Sequence, residues 1–269
     1  MRLLIHNKPK LKLPEFKVDE PLSKNIDDPL LSNMNRSFCC GLIGKAGSGK
    51  TSLMVSFIQT PKYFKKVFNK IYVFMPNSSR NSMKNNIFSV LPEEQVFEGV
   101  SYEILSDVYE RLLESTENNH KSLLVFDDVQ SYLKTKEIEV NLLHIIANRR
   151  HLRCSIFIIA QNYNKIPKNI RQSFTDLFLF NVGKEEYINI FEENINLSKD
   201  DFTMVLKEYR NIKKMNLILL FVFMIKIKYL SIGINLLMMK IIIMTPARRK
   251  PRGLARASPT MIIIIYKII

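Results

Sequence analysis

The chain has 269 residues, 46% of them hydrophobic and 24% charged. That balance excludes a wholly disordered, collagenous or disulfide-stapled chain, and this length allows one large core. The formal net charge is +15, but residues 212–269 hold 11 Lys and Arg and no acid, which leaves residues 1–211 with 29 basic and 25 acidic residues.

Residues 1–37 are punctuated by Pro9, Pro14, Pro21 and Pro29, and read as an extended arm packed on a core. The opening MRLLIHNKPKLKLP is too polar for a signal peptide. From Phe38 short apolar runs at 38–43, 71–75, 122–127, 154–160 and 176–181 alternate with helical stretches at 50–60, 101–116, 136–150 and 184–194. Strands this continuously apolar are covered on both faces, so residues 38–211 predict a three-layer α/β domain with a mostly parallel sheet. No clean run of about 18 apolar residues interrupts it, so no membrane span is expected in the body. Cys39, Cys40 and Cys154 fit no metal or disulfide spacing, and their apolar settings suggest buried thiols in a reducing compartment.

The tail at 212–269 departs from this style. It holds 15 isoleucines, its apolar runs are broken by Lys226, Lys228 and Lys240, and ARRKPRGLARASP separates two Ile blocks. It shows neither helix nor strand period. One reading is a basic membrane- or nucleic-acid-associating tail. The other is a shifted reading frame through AT-rich DNA.

The first chemical motif is Gly44-Lys45-Ala46-Gly47-Ser48-Gly49-Lys50-Thr51, which matches the phosphate-binding GxxxxGK[ST] pattern. An apolar strand precedes it and a helical segment follows. Backbone N–H groups of such a loop form an anion nest, to which the helix N-terminus adds partial positive charge. Lys50 would reach the β- and γ-phosphates of ATP, and Thr51 would ligate Mg²⁺. The second motif is LLVFDD, an apolar strand ending in paired acids. Asp127 is the candidate Mg²⁺ acid, and Asp128 sits where a general base would polarise the attacking water. Two such acids can also cap a helix. Third, Gln161 tips the strand 154–160, where it could contact the γ-phosphate or the attacking water. Fourth, Asn148-Arg149-Arg150-His151 could present an arginine finger to a neighbouring subunit, with Arg150 preferred over Arg149 and Arg153. A solvated basic helix end is the alternative. Lastly, Tyr163, Lys165, Lys168 and Arg171 could track a nucleic-acid backbone or form a plain solvated loop.

GLIGKAGSGKTSL, LLVFDDV and NRRHLRCSIFIIAQNYNKIPKNIR together resemble the genome-packaging ATPases of large double-stranded DNA viruses. These belong to the FtsK–HerA division of P-loop NTPases, with poxvirus, giant-virus and virophage members. The resemblance spans roughly residues 36–211. It implies a P-loop NTPase sheet in the order 5-1-4-3-2, numbering the five expected strands along the chain, with helices on both faces. It also implies a ring, suspected to be a hexamer, that hydrolyses ATP with Mg²⁺ and pumps double-stranded DNA into capsids. The virion or a viral factory in the host cytoplasm is then the expected location, and capsid proteins are expected partners. By the same resemblance Lys50, Thr51, Asp127, Asp128 and Gln161 match the phosphate, metal, second-acid and sensor positions, and an Arg within 149–153 the finger region. The second acid is Asp here, where many relatives in the division carry Glu. Two rivals stand beside this reading: a related helicase or plasmid-mobilising NTPase, and an inactive nucleotide-binding structural or regulatory protein.

Overall fold

The computed structural model describes residues 34, 37–61, 63–81, 87–180 and 182–195, together with the backbone of three strands at 219–225, 237–244 and 261–268. The expected N-terminal arm therefore lies outside the described residues, apart from Met34 and Ser37, both of which are buried.

The elements in chain order are β1 (Cys39–Gly44), α1 (Lys50–Gln59), β2 (Lys70–Phe74), α2 (Asn77–Asn81), β3 (Val96–Phe97), α3 (Tyr102–Glu117) and β4 (Ser122–Asp127). They continue with α4 (Lys136–Asn148), β5 (Cys154–Ala160), α5 (Lys168–Arg171), β6 (Asp176–Phe180) and α6 (Lys184–Ile190). A π-helical turn over residues 191–195 extends α6. The sheet runs β3-β2-β4-β5-β1-β6, and every pair among these six strands is parallel. The five strands expected from sequence thus stand in the order 5-1-4-3-2. The edge strand β3 is the addition, since two residues are too few to show a period.

Strand periodicity explains the layers. Successive side chains point to opposite faces. In β4, Leu124 and Phe126 join one buried cluster and Leu123 and Val125 the other. The first cluster lies under α3, α4 and α6, through residues such as Leu105, Val108, Leu142, Ile145 and Ile190. The second lies under α1, where Met54 and Phe57 meet Phe38, Phe64, Phe157 and Phe178. Both faces are covered, as the continuously apolar strands require. Ser101 starts α3 by accepting the Ile104 N–H at 3.2 Å, which satisfies one of the orphan donors of the first turn. Among the described residues no helix is long and apolar enough to cross a membrane.

Beyond β6 the sheet continues with β7 (Leu219–Ile225), β8 (Leu237–Met244) and β9 (Met261–Ile268), each antiparallel to its predecessor. These strands fall where the sequence shows no strand period. Their apolar residues run on without alternation, so the period-2 signal is absent although branched residues favour extended backbone.

The end of the sheet where β1, β5 and β6 begin buries polar groups. Cys39, Cys40 and Cys154 are all buried and unpaired there or nearby, and burial pushes the Cys39 thiol up to about 12. Asp176 is only 4% exposed. Its carboxylate accepts from the Thr175 hydroxyl at 2.7 Å. Burial still pushes its pKa up to about 7, against the lowering pull of that hydrogen bond and of Arg149. The native state therefore holds a proton on Asp176 in a window where the unfolded chain, with an Asp near 3.9, has lost it. Stability is expected to fall as pH rises from about 4 to 7, by a few kcal/mol in order of magnitude. Asp176→Asn should flatten the dependence of the melting temperature on pH across that window. An unchanged slope in the variant would contradict the assignment.

Candidate functional site

β1 delivers the loop Gly44–Thr51 to the end of the sheet where the strands finish. Gly44 is obligatory for steric reasons. A Cβ there would stand 2.1 Å from the Phe180 carbonyl oxygen of the neighbouring strand. Gly49 turns into α1 at φ 96°, in the left-handed region that glycine enters without penalty. Lys50 is then the first residue of α1 and lies along the loop. Its Nζ donates to the carbonyl oxygens of Gly44, at 2.6 Å, and Lys45, at 2.8 Å. Burial lowers the Lys50 pKa, while Asp127 and Asp128 pull it back up.

Strand β4 brings the paired acids alongside. The Thr51 hydroxyl donates to Asp127 Oδ2 at 2.7 Å, across 76 residues of sequence. Asp127 is nearly buried, and burial raises its pKa to about 6 despite Thr51 and Lys50. A hydroxyl and a carboxylate held together are hard oxygen donors, the set that Mg²⁺ prefers. The residues present therefore fit a Mg²⁺–nucleotide pair: donors for the metal, an ammonium and loop N–H groups for phosphates.

Asp128 adopts φ 57°, uncommon for a residue other than glycine though more tolerated by Asp. Its backbone N–H donates to Ile159 O at 3.3 Å, tying the tip of β4 to β5. Its Oδ1 accepts from Gln161 Nε2 at 3.0 Å. The Gln161 backbone N–H in turn donates to Gln130 Oε1 at 3.1 Å. Gln161 thus links Asp128 and Gln130 in one hydrogen-bonded chain across the tips of β4 and β5. The sequence reading passed over Gln130. It lies two residues beyond the acids, and only the adjacency of β4 and β5 gives it a partner.

These groups line one open cleft of about 590 Å³. Lys50, Thr51, Asp127, Asp128 and Gln161 all border it, together with Ala46 and Gly47 from the loop. Val55, Ser56 and Gln59 of α1, Ser79 of α2 and the end of β5 also contribute to its wall. The cleft is large enough for a nucleotide. It can hold an anion against loop N–H groups and Lys50, with two carboxylates on the opposite side.

The arginines separate. Arg149 is committed to its own chain: Nε donates to Ser37 O and Nη1 to Ile146 O, each at 2.8 Å, closing the end of α4. Arg150 is exposed, at the end of the sheet opposite the cleft. It does not border the cleft of its own chain.

The loop reading of Tyr163, Lys165, Lys168 and Arg171 as a nucleic-acid track needs correction. Tyr163 and Arg171 are buried, and only Lys165 and Lys168 are exposed. Arg171 pairs with Glu193 at 2.7 Å, lies over the Tyr163 ring at 4.7 Å, and donates to Asn164 at 3.2 Å. The Tyr163 hydroxyl donates to Glu193 at 3.0 Å and accepts from Asn194. Buried charges persist where they are paired, and this pairing anchors the segment after Gln161 onto the π-helical turn.

The sequence profile of the poxvirus A32 protein family matches residues 30–226. Among curated proteins, the chain is similar to the DNA packaging proteins OPG160 of Variola virus and of Vaccinia virus (strain Copenhagen), each 28% identical over 155 residues. Each match covers 55% of this chain and 55% of the relative, so the chain spans about half the length of the curated relatives it matches. Among solved structures it is similar to the genome packaging NTPase B204 from Sulfolobus turreted icosahedral virus 2 in complex with sulfate. That likeness has a TM-score of 0.47 and 16% identity, and covers 70% of this chain and 92% of the other.

Proposed function

Because the chain belongs to the poxvirus A32 protein family, we propose that it is an ATP-hydrolysing translocase that packages viral double-stranded DNA into capsids. The observation that carries the catalytic part is the Thr51–Asp127 hydrogen bond of 2.7 Å beside Lys50. It joins the end of the phosphate loop to the acid of β4 in one cleft.

In this reading Gly44, Lys45, Ala46, Gly47, Ser48 and Gly49 wrap the phosphates of ATP with backbone N–H groups. Lys50 exchanges its bonds to Gly44 O and Lys45 O for the β- and γ-phosphate oxygens. Thr51 and Asp127 would hold Mg²⁺, which would neutralise phosphate charge when bound. Asp128 accepts the proton of the attacking water. Gln161, released from Asp128 or sharing it, orients that water and responds to the γ-phosphate, and Gln130 fixes the Gln161 backbone while it does so. Arg150 reaches the cleft of the next subunit in a head-to-tail ring, of which a hexamer is the expected form. Such a ring would work at the capsid, in the virion or the viral factory, a location that the family resemblance supports.

The test is steady-state ATP hydrolysis by the purified chain, with and without linear duplex DNA, at low and moderate salt. Turnover should rise with duplex DNA, and the stimulation should weaken as salt rises, because phosphate contacts release counterions. Strand separation of a tailed duplex would move the reading to a helicase. ATP binding without turnover under all conditions would leave a nucleotide-binding structural or regulatory protein.

A further inference from the structure

We propose that the edge of the sheet where β2, β4 and β5 begin, opposite the nucleotide cleft, docks the phosphate backbone of double-stranded DNA. The proposal rests on the packaging reading and adds a surface to it. Parallel strands all start at one end, and β2, β4 and β5 are consecutive neighbours. Their entrances therefore lie side by side at a strand spacing of about 4.8 Å. Besides Arg149, which is bonded within its own chain, and Arg150, proposed above to reach the next subunit, the described residues of the three connections that feed them carry the cations Lys65, Lys66, Lys70, Lys121 and Arg153. Residues 60–70, 118–121 and 149–153 contain no Asp or Glu. Lys65 and Lys66 are exposed, and Lys70, Lys121 and Arg153 partly so. Exposed acids lie around this edge at Glu117, at the end of α3, and at Glu93 and Glu94, beside the Gln95 side chain that bonds Ile71 N–H, while Asp176 is buried.

The connections are tied to one another. Asn69 N–H donates to Lys121 O at 2.8 Å, Lys121 N–H to Asn69 Oδ1 at 2.9 Å, and Ser122 N–H to Arg153 O at 3.2 Å. Lys70, Lys121 and Arg153 are thereby spaced by the sheet, and Lys65 and Lys66 lie in the turn that leads into β2. The backbone is strained at the same edge. Among the described residues four other than glycine have positive φ, and three of them, Lys66 at 62°, Asn119 at 60° and Arg153 at 48°, belong to these connections. Such conformations carry a cost and gather at binding sites. Here they set the direction of two of the five cations.

The chemistry fits a duplex better than a single strand. Single-strand binders stack bases on exposed aromatic rings. The aromatic residues of this edge are turned inward: Phe64 is buried, Tyr63 packs edge-on against Phe57 at 5.4 Å, and Phe68 packs against Phe64 at 5.9 Å. The side chains that remain outside are charged or polar, Asn69, Asn118, Asn119 and His151 among them, and the charge recognises the dense, regular phosphates of a duplex without reading sequence. That suits a motor whose cargo is a whole genome.

The experiment compares the full chain with a Lys65→Gln, Lys66→Gly, Lys70→Gln variant. Glycine at 66 accepts the positive φ, so the edge keeps its shape. The probe is a short linear duplex, with affinity measured across a salt series and ATP turnover measured without DNA. Loss of three phosphate contacts should weaken binding about tenfold or more at low salt. It should also make the slope of log affinity against log salt shallower by about 3. Turnover without DNA should be unchanged. Equal affinity and equal slope in the two proteins would overturn the proposal. So would lost assembly or altered DNA-free turnover in the variant, which would assign the edge to a neighbouring subunit. If the unaltered chain binds duplex but its turnover ignores it, the packaging reading fails while the docking surface stands. If it does not bind duplex at all, both fail.

Discussion

Lys50→Ala is expected to lower ATP turnover by at least about a hundred- to a thousandfold, the scale on which removing one preorganised donor acts. The reason lies in where the ammonium sits. It is buried at the floor of the cleft, held at 2.6 and 2.8 Å by two carbonyls of its own loop. Among the described residues that line the cleft no other carries a positive charge. Asp127 and Asp128 stand across from it, so without Lys50 the anionic phosphates would face two acids and no cation. The loop itself should survive, because its shape comes from Gly44 against Phe180 and from the turn at Gly49. Turnover measured beside a melting curve separates the two effects. A variant that melts normally and still hydrolyses ATP would remove the site from this cleft.

Arg150→Ala is expected to reduce turnover by about 10³ or more, the range over which arginine fingers act. Nucleotide binding by an isolated subunit should change little, because Arg150 lies at the other end of the sheet from its own cleft. Mixed assemblies give the sharper result. Arg150→Ala subunits retain a complete cleft, and Asp128→Asn subunits retain the arginine. Mixing the two inactive proteins should recover part of the activity, since some clefts would then have both groups. No recovery from an assembly shown to be mixed would rule out action across subunits.

The phosphate loop and the paired acids were legible because each is a local string with a strand before it. Their meeting was inferable, since Lys50, Thr51 and Asp127 all lie where strands finish, and Thr51 does bond to Asp127. The five strands and their order were equally legible, because covered strands are written as short apolar runs. What stayed hidden depends on partners distant in sequence. Gln130 gains its role only when β5 lies beside β4. Tyr163 and Arg171 look like exposed nucleic-acid ligands until Glu193 pairs with the arginine from 22 residues away. Arg149 and Arg150 are adjacent in the chain, yet one closes a helix end and the other faces outward. The short strand β3, and β7 to β9 with their unalternating apolar runs, lacked the period by which strands announce themselves.

The three buried thiols have a practical bearing. Only thiolates react readily with alkylating reagents, and thiols as enclosed as Cys39, Cys40 and Cys154 stay protonated and out of reach. The native fold is therefore silent towards maleimide dyes at neutral pH. A single cysteine introduced at an exposed position such as Glu117 would become the one labelled atom in the molecule, with no need to strip the natural cysteines first. A fluorophore placed in this way could follow DNA binding or the proposed assembly, and the onset of labelling at the native thiols would report unfolding in the same sample.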